Sequence, residues 1–146
     1  MIAAVAAAAE GQAPPEAEGG VPGTAKNSQA PPKTKLGLAT TGFTDLTHEE
    51  MAQLAHEAQV DCIQLFFSQK DTPYWQYNGR FDASPLTPEV CHRIAESYRS
   101  QELEIDSLGV YTNLIEPDDA EREQNLQHFI DMMRVGQAMG VRTLVT

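Results

Sequence analysis

Between Ser68 and Leu86 the sequence gathers Tyr74, Trp75, Tyr77 and Phe81 with Lys70, Asp71, Asn78, Arg80 and Asp82, all within 19 residues. Flat rings beside amide, guanidinium and carboxylate tips are the side chains that enclose a small molecule, the rings excluding water and the tips orienting the ligand. A connection longer than roughly 12 to 15 residues in a compact domain is functional or disordered, and these aromatics argue for order. Two readings fit: a lid over a small-molecule pocket, or a loop that Trp75 and Phe81 pack onto the body of the fold. The other candidate chemistry is thinner. His48, His56, His92 and His128 fall in helical sequence with no second ligand at metal spacing, and they read as surface residues. The acids Glu116, Asp118, Asp119, Glu121 and Glu123 stand at a helix start, where the macrodipole favours negative charge. Gly37, Gly42 and Gly109 form neither of the glycine-rich patterns that cradle phosphates.

Positioning such groups requires a frame, and the apolar pattern supplies one. Short apolar runs at Lys35 to Ala39, Val60 to Phe67, Leu103 to Val110 and Val141 to Val145 read as strands, whose starts near 36, 60, 103 and 141 lie 24, 43 and 38 residues apart. Helix signals fill each gap. Thr47 with Glu50 three residues later is a capping box, and Met51, Leu54, Ala55 and Ala58 follow at helical spacing. Thr87-Pro88 opens a second helix with Val90, Cys91, Ile94 and Tyr98 on its buried side. Asp118 caps a third, whose expected inner stripe is Leu126, Phe129, Ile130 and Met133 and whose end is Gly140. Alternating strands and helices at this spacing predict an α/β fold with a parallel sheet and right-handed crossovers. Either an open doubly wound sheet or the first half of a TIM (β/α)8 barrel satisfies the pattern, and the final bare strand favours the half barrel. The ligand side is then the carboxyl end of the strands, which brings Thr40 to Leu46, Ser68 to Leu86 and Tyr111 to Pro117 to one rim.

Residues 1–35 are a different material: ten Ala, five Pro, four Gly, no aromatic, and three Lys balancing three Glu. That composition cannot bury enough surface to offset its ordering entropy. The partial barrel is therefore expected over 36–146, which carries 18 acids against 7 bases and all of the net charge of -11. So acidic a surface repels phosphate backbones, and nucleic-acid partners are not expected. No stretch reaches the roughly 20 apolar residues of a membrane span. A cytoplasmic location is expected, with export the alternative if Ile2 to Ala9 is the remnant of a signal peptide. Cys62 and Cys91 lack paired spacing and read as small buried apolar residues.

The runs Lys35 to Leu38, Val60 to Leu65, Leu103 to Leu114 and Ala138 to Val145 together resemble the first four strands of the xylose-isomerase-like TIM barrels. Most distinctive is Tyr111-Thr112-Asn113 at the third strand's end, followed by Asp118, Asp119, Arg122 and a long helix ending Ala138-Met139-Gly140. The resemblance implies a sugar or sugar-phosphate isomerase or epimerase, in which a divalent metal (Mn, Mg, Zn or Co) and acid/base carboxylates move a proton on a ketose or aldose. The family's metal ligands come from strands beyond Thr146. A metal is thus expected only of a full-length parent, and none is predicted for this chain alone. Gln64, Trp75, Tyr111 and Asn113 are the residues expected to wall the sugar pocket; many relatives carry Glu where this chain has Gln64. The endonuclease branch of the superfamily is disfavoured, because the third strand ends Gly109-Val110-Tyr111 without a histidine. The alternative is a non-catalytic carbohydrate-binding or interaction module, able to form a homo-oligomer through the open barrel edge.

Overall fold

Each α-helix among the described residues begins where a side chain can satisfy its first orphan amides. In the computed structural model, which describes residues 34–146, Thr47 caps α1 (His48–Glu57) with a complete capping box. Its hydroxyl accepts from the Glu50 amide at 3.2 Å, while the Glu50 carboxylate accepts from the Thr47 amide at 2.8 Å. Thr87 caps α2 (Pro88–Arg99), with Pro88 at the position that needs no N–H. Asp118 caps α3 (Asp119–Met139) by accepting from the Glu121 amide at 3.0 Å. The expected tail at 1–35, with its export-signal alternative, lies outside the described residues except for Thr34 and Lys35.

These three α-helices also stop alike. Gln59, Glu102 and Gly140 all take left-handed backbone, with φ of 57°, 61° and 70°. In each case that residue's amide bonds three residues back and the next amide bonds five back: Val60 to Ala55 O, Leu103 to Tyr98 O, Val141 to Gly136 O. This is the Schellman closure, which satisfies the last carbonyls and turns the chain toward the next strand. Only the third uses the glycine that the geometry favours.

β1 (Gly37–Ala39), β2 (Cys62–Leu65), β3 (Glu104–Gly109) and β4 (Leu144–Val145) form one sheet in that order, every pair parallel. A doubly wound sheet reverses its strand order at a switch point, and this one does not. The architecture is α/β and consistent with the first half of a TIM (β/α)8 barrel. The strands are shorter than the apolar runs that announced them. β2 and β3 pair Ile63 with Ile105 and then Gln64 with Ser107, so Asp106 is an extra residue, a β-bulge. Ile63, Leu65 and Leu108 face the helices and meet Met51, Ala55, Ile94, Tyr98, Met132 and Met139 in the core. Burying each large side chain of this kind contributes about 1.5–3 kcal/mol. On the opposite sheet face Cys62 pairs with Glu104 and Gln64 with Ser107, and Lys35 forms an ion pair with Glu104. Cys91 is buried as expected, but Cys62 is only half-buried on that polar face.

The inner stripe of α3 is not the one its large apolar residues suggest. Asn125, His128, Met132, Val135, Gly136 and Met139 are buried, whereas Leu126, Ile130 and Met133 are exposed and Phe129 is half-buried. The helix carries two apolar stripes. Small Gly136 marks the packed one, because a Cβ there would come within 3.2 Å of Leu144 and 3.3 Å of the Val141 carbonyl. A similar correction applies to α1, where Leu54 and Ala58 are exposed and Ala52 joins Met51 and Ala55 inside. Among the described residues no helix is long and apolar enough to cross a membrane.

Candidate functional site

The carboxyl ends of the strands carry a polar floor beneath an aromatic wall. At the end of β1, fully buried Thr40 accepts the Gln69 side-chain amide on its carbonyl at 2.9 Å, and its hydroxyl accepts from the Phe66 amide at 3.0 Å. This seats Phe66 on the rim. Its ring stands edge-on to Trp75 at 5.0 Å and to Tyr111 at 5.3 Å, and Trp75 meets Tyr111 at 6.3 Å and Tyr77 at 6.4 Å. Edge-to-face packing at these separations is the arrangement the ring quadrupoles favour. Trp75 is further fixed by donating its Nε1–H to the Val110 carbonyl at 3.2 Å. Gly109 makes room for the group, since a Cβ at that position would lie 2.1 Å from the Phe66 ring.

Beside this wall lies an open cavity of about 580 Å³ between two segments, with Tyr77 and Asn78 on one side and Tyr111 to Ile115 on the other, and Thr146 also lining it. Tyr111 adopts φ of 51°, a left-handed conformation that costs a bulky residue roughly 1–2 kcal/mol. Strain of this kind collects where a side chain must be aimed. Asn113 turns back on its own loop: its Nδ2 donates to Glu116 Oε2 at 3.0 Å and its Oδ1 accepts from the Ile115 amide at 3.2 Å. Of the four residues singled out in the sequence, Tyr111 and Asn113 line the cavity and Trp75 backs it through Tyr77 and Tyr111. Gln64 stands apart, half-buried on β2 opposite Ser107.

The Ser68 to Leu86 segment is tied down at several places besides the Gln69 bond to Thr40. Thr72 Oγ1 lies 2.8 Å from His48 Nε2, Trp75 is held as above, and Arg80 reaches α3, bonding Asn125 Oδ1 at 2.6 Å and Gln124 Oε1 at 3.1 Å and pairing with Glu121 at 3.0 Å. Phe81 covers His128 at 4.9 Å and stacks on Tyr74 at 6.0 Å. The segment is a fixed wall.

Two histidines depart from the surface reading. His48 is buried, its Nδ1 2.9 Å from the Tyr98 hydroxyl, and burial lowers its pKa from the usual 6.5 to about 4 despite the nearby Asp71 carboxylate. His128 is buried under Phe81, with its pKa lowered chiefly by burial. Both sit where hydroxyl or ring partners arrive from distant chain, which helical spacing does not reveal. His56 and His92 are exposed. The acids at the start of α3 act structurally, Asp118 as cap, Asp119 with Arg122 one turn on, and Glu121 with Arg80 of the Ser68 to Leu86 segment. No group of three or more His, Cys, Asp or Glu converges among the described residues, so these side chains do not by themselves fit a catalytic divalent metal.

A family described as the xylose isomerase-like TIM barrel matches residues 52–146 of the sequence. Among solved structures, a xylose isomerase candidate from Rhodospirillum rubrum is 16% identical with a TM-score of 0.58, covering 77% of this chain and 38% of that one. The candidate 3-DHS dehydratase AsbF of Bacillus anthracis, involved in petrobactin synthesis, is 15% identical with a TM-score of 0.55, covering 76% and 37%. A xylose isomerase domain protein from Alicyclobacillus acidocaldarius gives 15%, 0.50, 75% and 35%. The chain spans less than two-fifths of the length of these structures, and identities this low speak for fold alone. No curated protein matches the sequence.

Proposed function

The chain belongs to the xylose isomerase-like TIM barrel family, and from that premise we propose that it forms one wall of the sugar pocket of an isomerase or epimerase. The observation that carries this reading is a cavity at the carboxyl ends of parallel strands that Tyr77 and Tyr111 line and that Trp75 and Phe66 back from behind. The C–H face of a sugar ring packs on such rings, while its hydroxyls bond carbonyls and amides of the kind Thr112 and Asn113 present.

Isomerisation and epimerisation begin with removal of a proton from the carbon beside a carbonyl, which requires a base within hydrogen-bond reach. Dehydration of a β-hydroxy carbonyl compound begins the same way, and the family fold serves both. In the sugar isomerases a divalent metal polarises the substrate oxygens; the residues described here do not assemble one, so this chain's part is binding and orientation. Ser68 to Leu86 excludes water from one face of the sugar, and Tyr111 to Ile115 contacts its edge. The sugar or sugar phosphate is the expected partner, and the metal and base belong to residues other than these.

Trp75 is the single tryptophan and lies in the wall, so its emission reports directly on the site. Titration with D-xylose and D-fructose is expected to shift Trp75 fluorescence saturably, and Tyr111→Ala to weaken the response. A linear response identical for both sugars and for glycerol refutes the reading.

A further inference from the structure

The two sides of the rim cavity are joined through one amide. Asn125, in the second turn of α3 and 6% exposed, accepts from Arg80 Nη1 on its Oδ1 at 2.6 Å and donates from its Nδ2 to the Asn113 carbonyl at 2.7 Å. Arg80 follows Asn78 by two residues, and Asn113 lies within the opposite side, so this bridge runs from one cavity wall to the other. Arg122, one turn earlier on the same helix, donates to the Glu116 carbonyl at 2.8 Å and steadies the far end of the second wall. We propose that Asn125 is the positioning residue that sets the separation of the two walls and hence which ligands the cavity admits. The proposal deepens the sugar-pocket reading and rests on it for the ligand, but the bridge itself stands on geometry.

The chemistry of the bridge restricts the residue. One partner is a cation that only donates and the other is a carbonyl that only accepts, so the bridging group must accept at one end and donate at the other. A primary amide of this length does both. A carboxylate keeps the guanidinium but sets two acceptor oxygens against each other at Asn113, and an alkyl side chain serves neither partner. Loss of one hydrogen bond to a buried group carries about a tenfold effect on a local equilibrium.

The test compares the unaltered chain with Asn125→Asp, Asn125→Leu and Arg80→Gln by hydrogen-exchange mass spectrometry and by Trp75 fluorescence titration with D-fructose. Asn125→Asp is expected to speed exchange about tenfold in residues 111–117 while residues 70–84 stay protected; Arg80→Gln is expected to do the reverse. Asn125→Leu is expected to speed both. All three are expected to weaken the D-fructose response, and Asn125→Asp to narrow the difference between D-fructose and D-xylose. Exchange that rises uniformly over the chain, or in neither segment, overturns the proposal by making Asn125 an ordinary buried amide. If Asn125→Leu does not fold, Arg80→Gln and Asn125→Asp still decide the matter through their opposite patterns. Opposite exchange patterns with no sugar response from the unaltered chain leave the bridge standing and refute the sugar reading instead.

Discussion

Acidification should destabilise this protein through His48. The imidazole is the first residue of α1, is 2% exposed, and lies between the hydroxyls of Tyr98 and Thr72 at 2.9 and 2.8 Å. Burial dominates its titration and lowers its pKa from 6.5 to about 4. The unfolded chain therefore protonates this group first as pH falls, and the folded state binds its proton only near the lower value. Stability from this site is complete above about pH 6.5 and declines by about 1.4 kcal/mol per unit below it, levelling near pH 4. The total is up to about 3 kcal/mol, a large share of the margin of a small domain. Urea melts followed by far-UV circular dichroism, at intervals from about pH 7.5 to about pH 4.5, measure the slope. His48→Gln keeps a side chain able to bond Thr72 but removes the titration, so it is expected to be less stable at neutral pH and markedly flatter below. His128 shifts in the same direction and contributes equally to both proteins. Parallel stability curves for the two proteins between about pH 6.5 and about pH 4.5 would refute the reasoning.

Three further outcomes follow from packing and backbone. Gly109→Ala drives a methyl into the Phe66 ring and is expected to cost about 1–3 kcal/mol; pairing it with Phe66→Leu should recover at least about 1 kcal/mol relative to additivity, measured as a double-mutant cycle in urea. Glu102→Gly relieves a left-handed residue at the end of α2, a gain of about 1 kcal/mol set against about 0.5 kcal/mol of added chain entropy, so a rise of about 0.5 kcal/mol is expected; a fall would show that the Glu102 side chain matters more than its backbone. The exposed α3 stripe is expected to drive self-association, and replacing Leu126, Ile130 and Met133 together by Gln should give a monomeric sedimentation profile with a change in stability within about 0.5 kcal/mol per site.

What could be read from the sequence was local. The caps at Thr47, Thr87 and Asp118 and the stop at Gly140 each depend on a few neighbouring residues, and all four stand where spacing put them. The crossovers left two strand arrangements, a doubly wound sheet and a half barrel, and the sequential order β1-β2-β3-β4 is that of the half barrel. The stripe of α3 escaped because two apolar stripes satisfy the same helical period, and only the close approach of Gly136 to Leu144 selects between them. Partners distant in sequence were invisible for the same reason. His48 meets Tyr98 across 50 residues, Arg80 meets Asn125 across 45, and the wall position of Phe66 depends on a glycine on another strand. Tyr77 was visible only as one aromatic among four. Nothing in residues 121–128 alone distinguishes Asn125 from a solvated amide on a polar helix.

The bulge at Asp106 has a consequence for how this chain can vary in length. On either side of it the pairing is in step, Ile63 with Ile105 before and Gln64 with Ser107 after, and the inward and outward sense of the side chains is the same on both sides. Removing Asp106 would join those two stretches without moving any neighbour to the wrong face, whereas removing Ile105 would put a carboxylate where an isoleucine packs beneath the helices. This is thus a position in the sheet where a lineage can lose a residue and still fold, and a deletion scan along β3 should find survival at 106 and failure on both sides. The rim beyond it, from Gly109 to Asn113, would stay in register, so the length of the strand can drift while the geometry of the site is inherited unchanged.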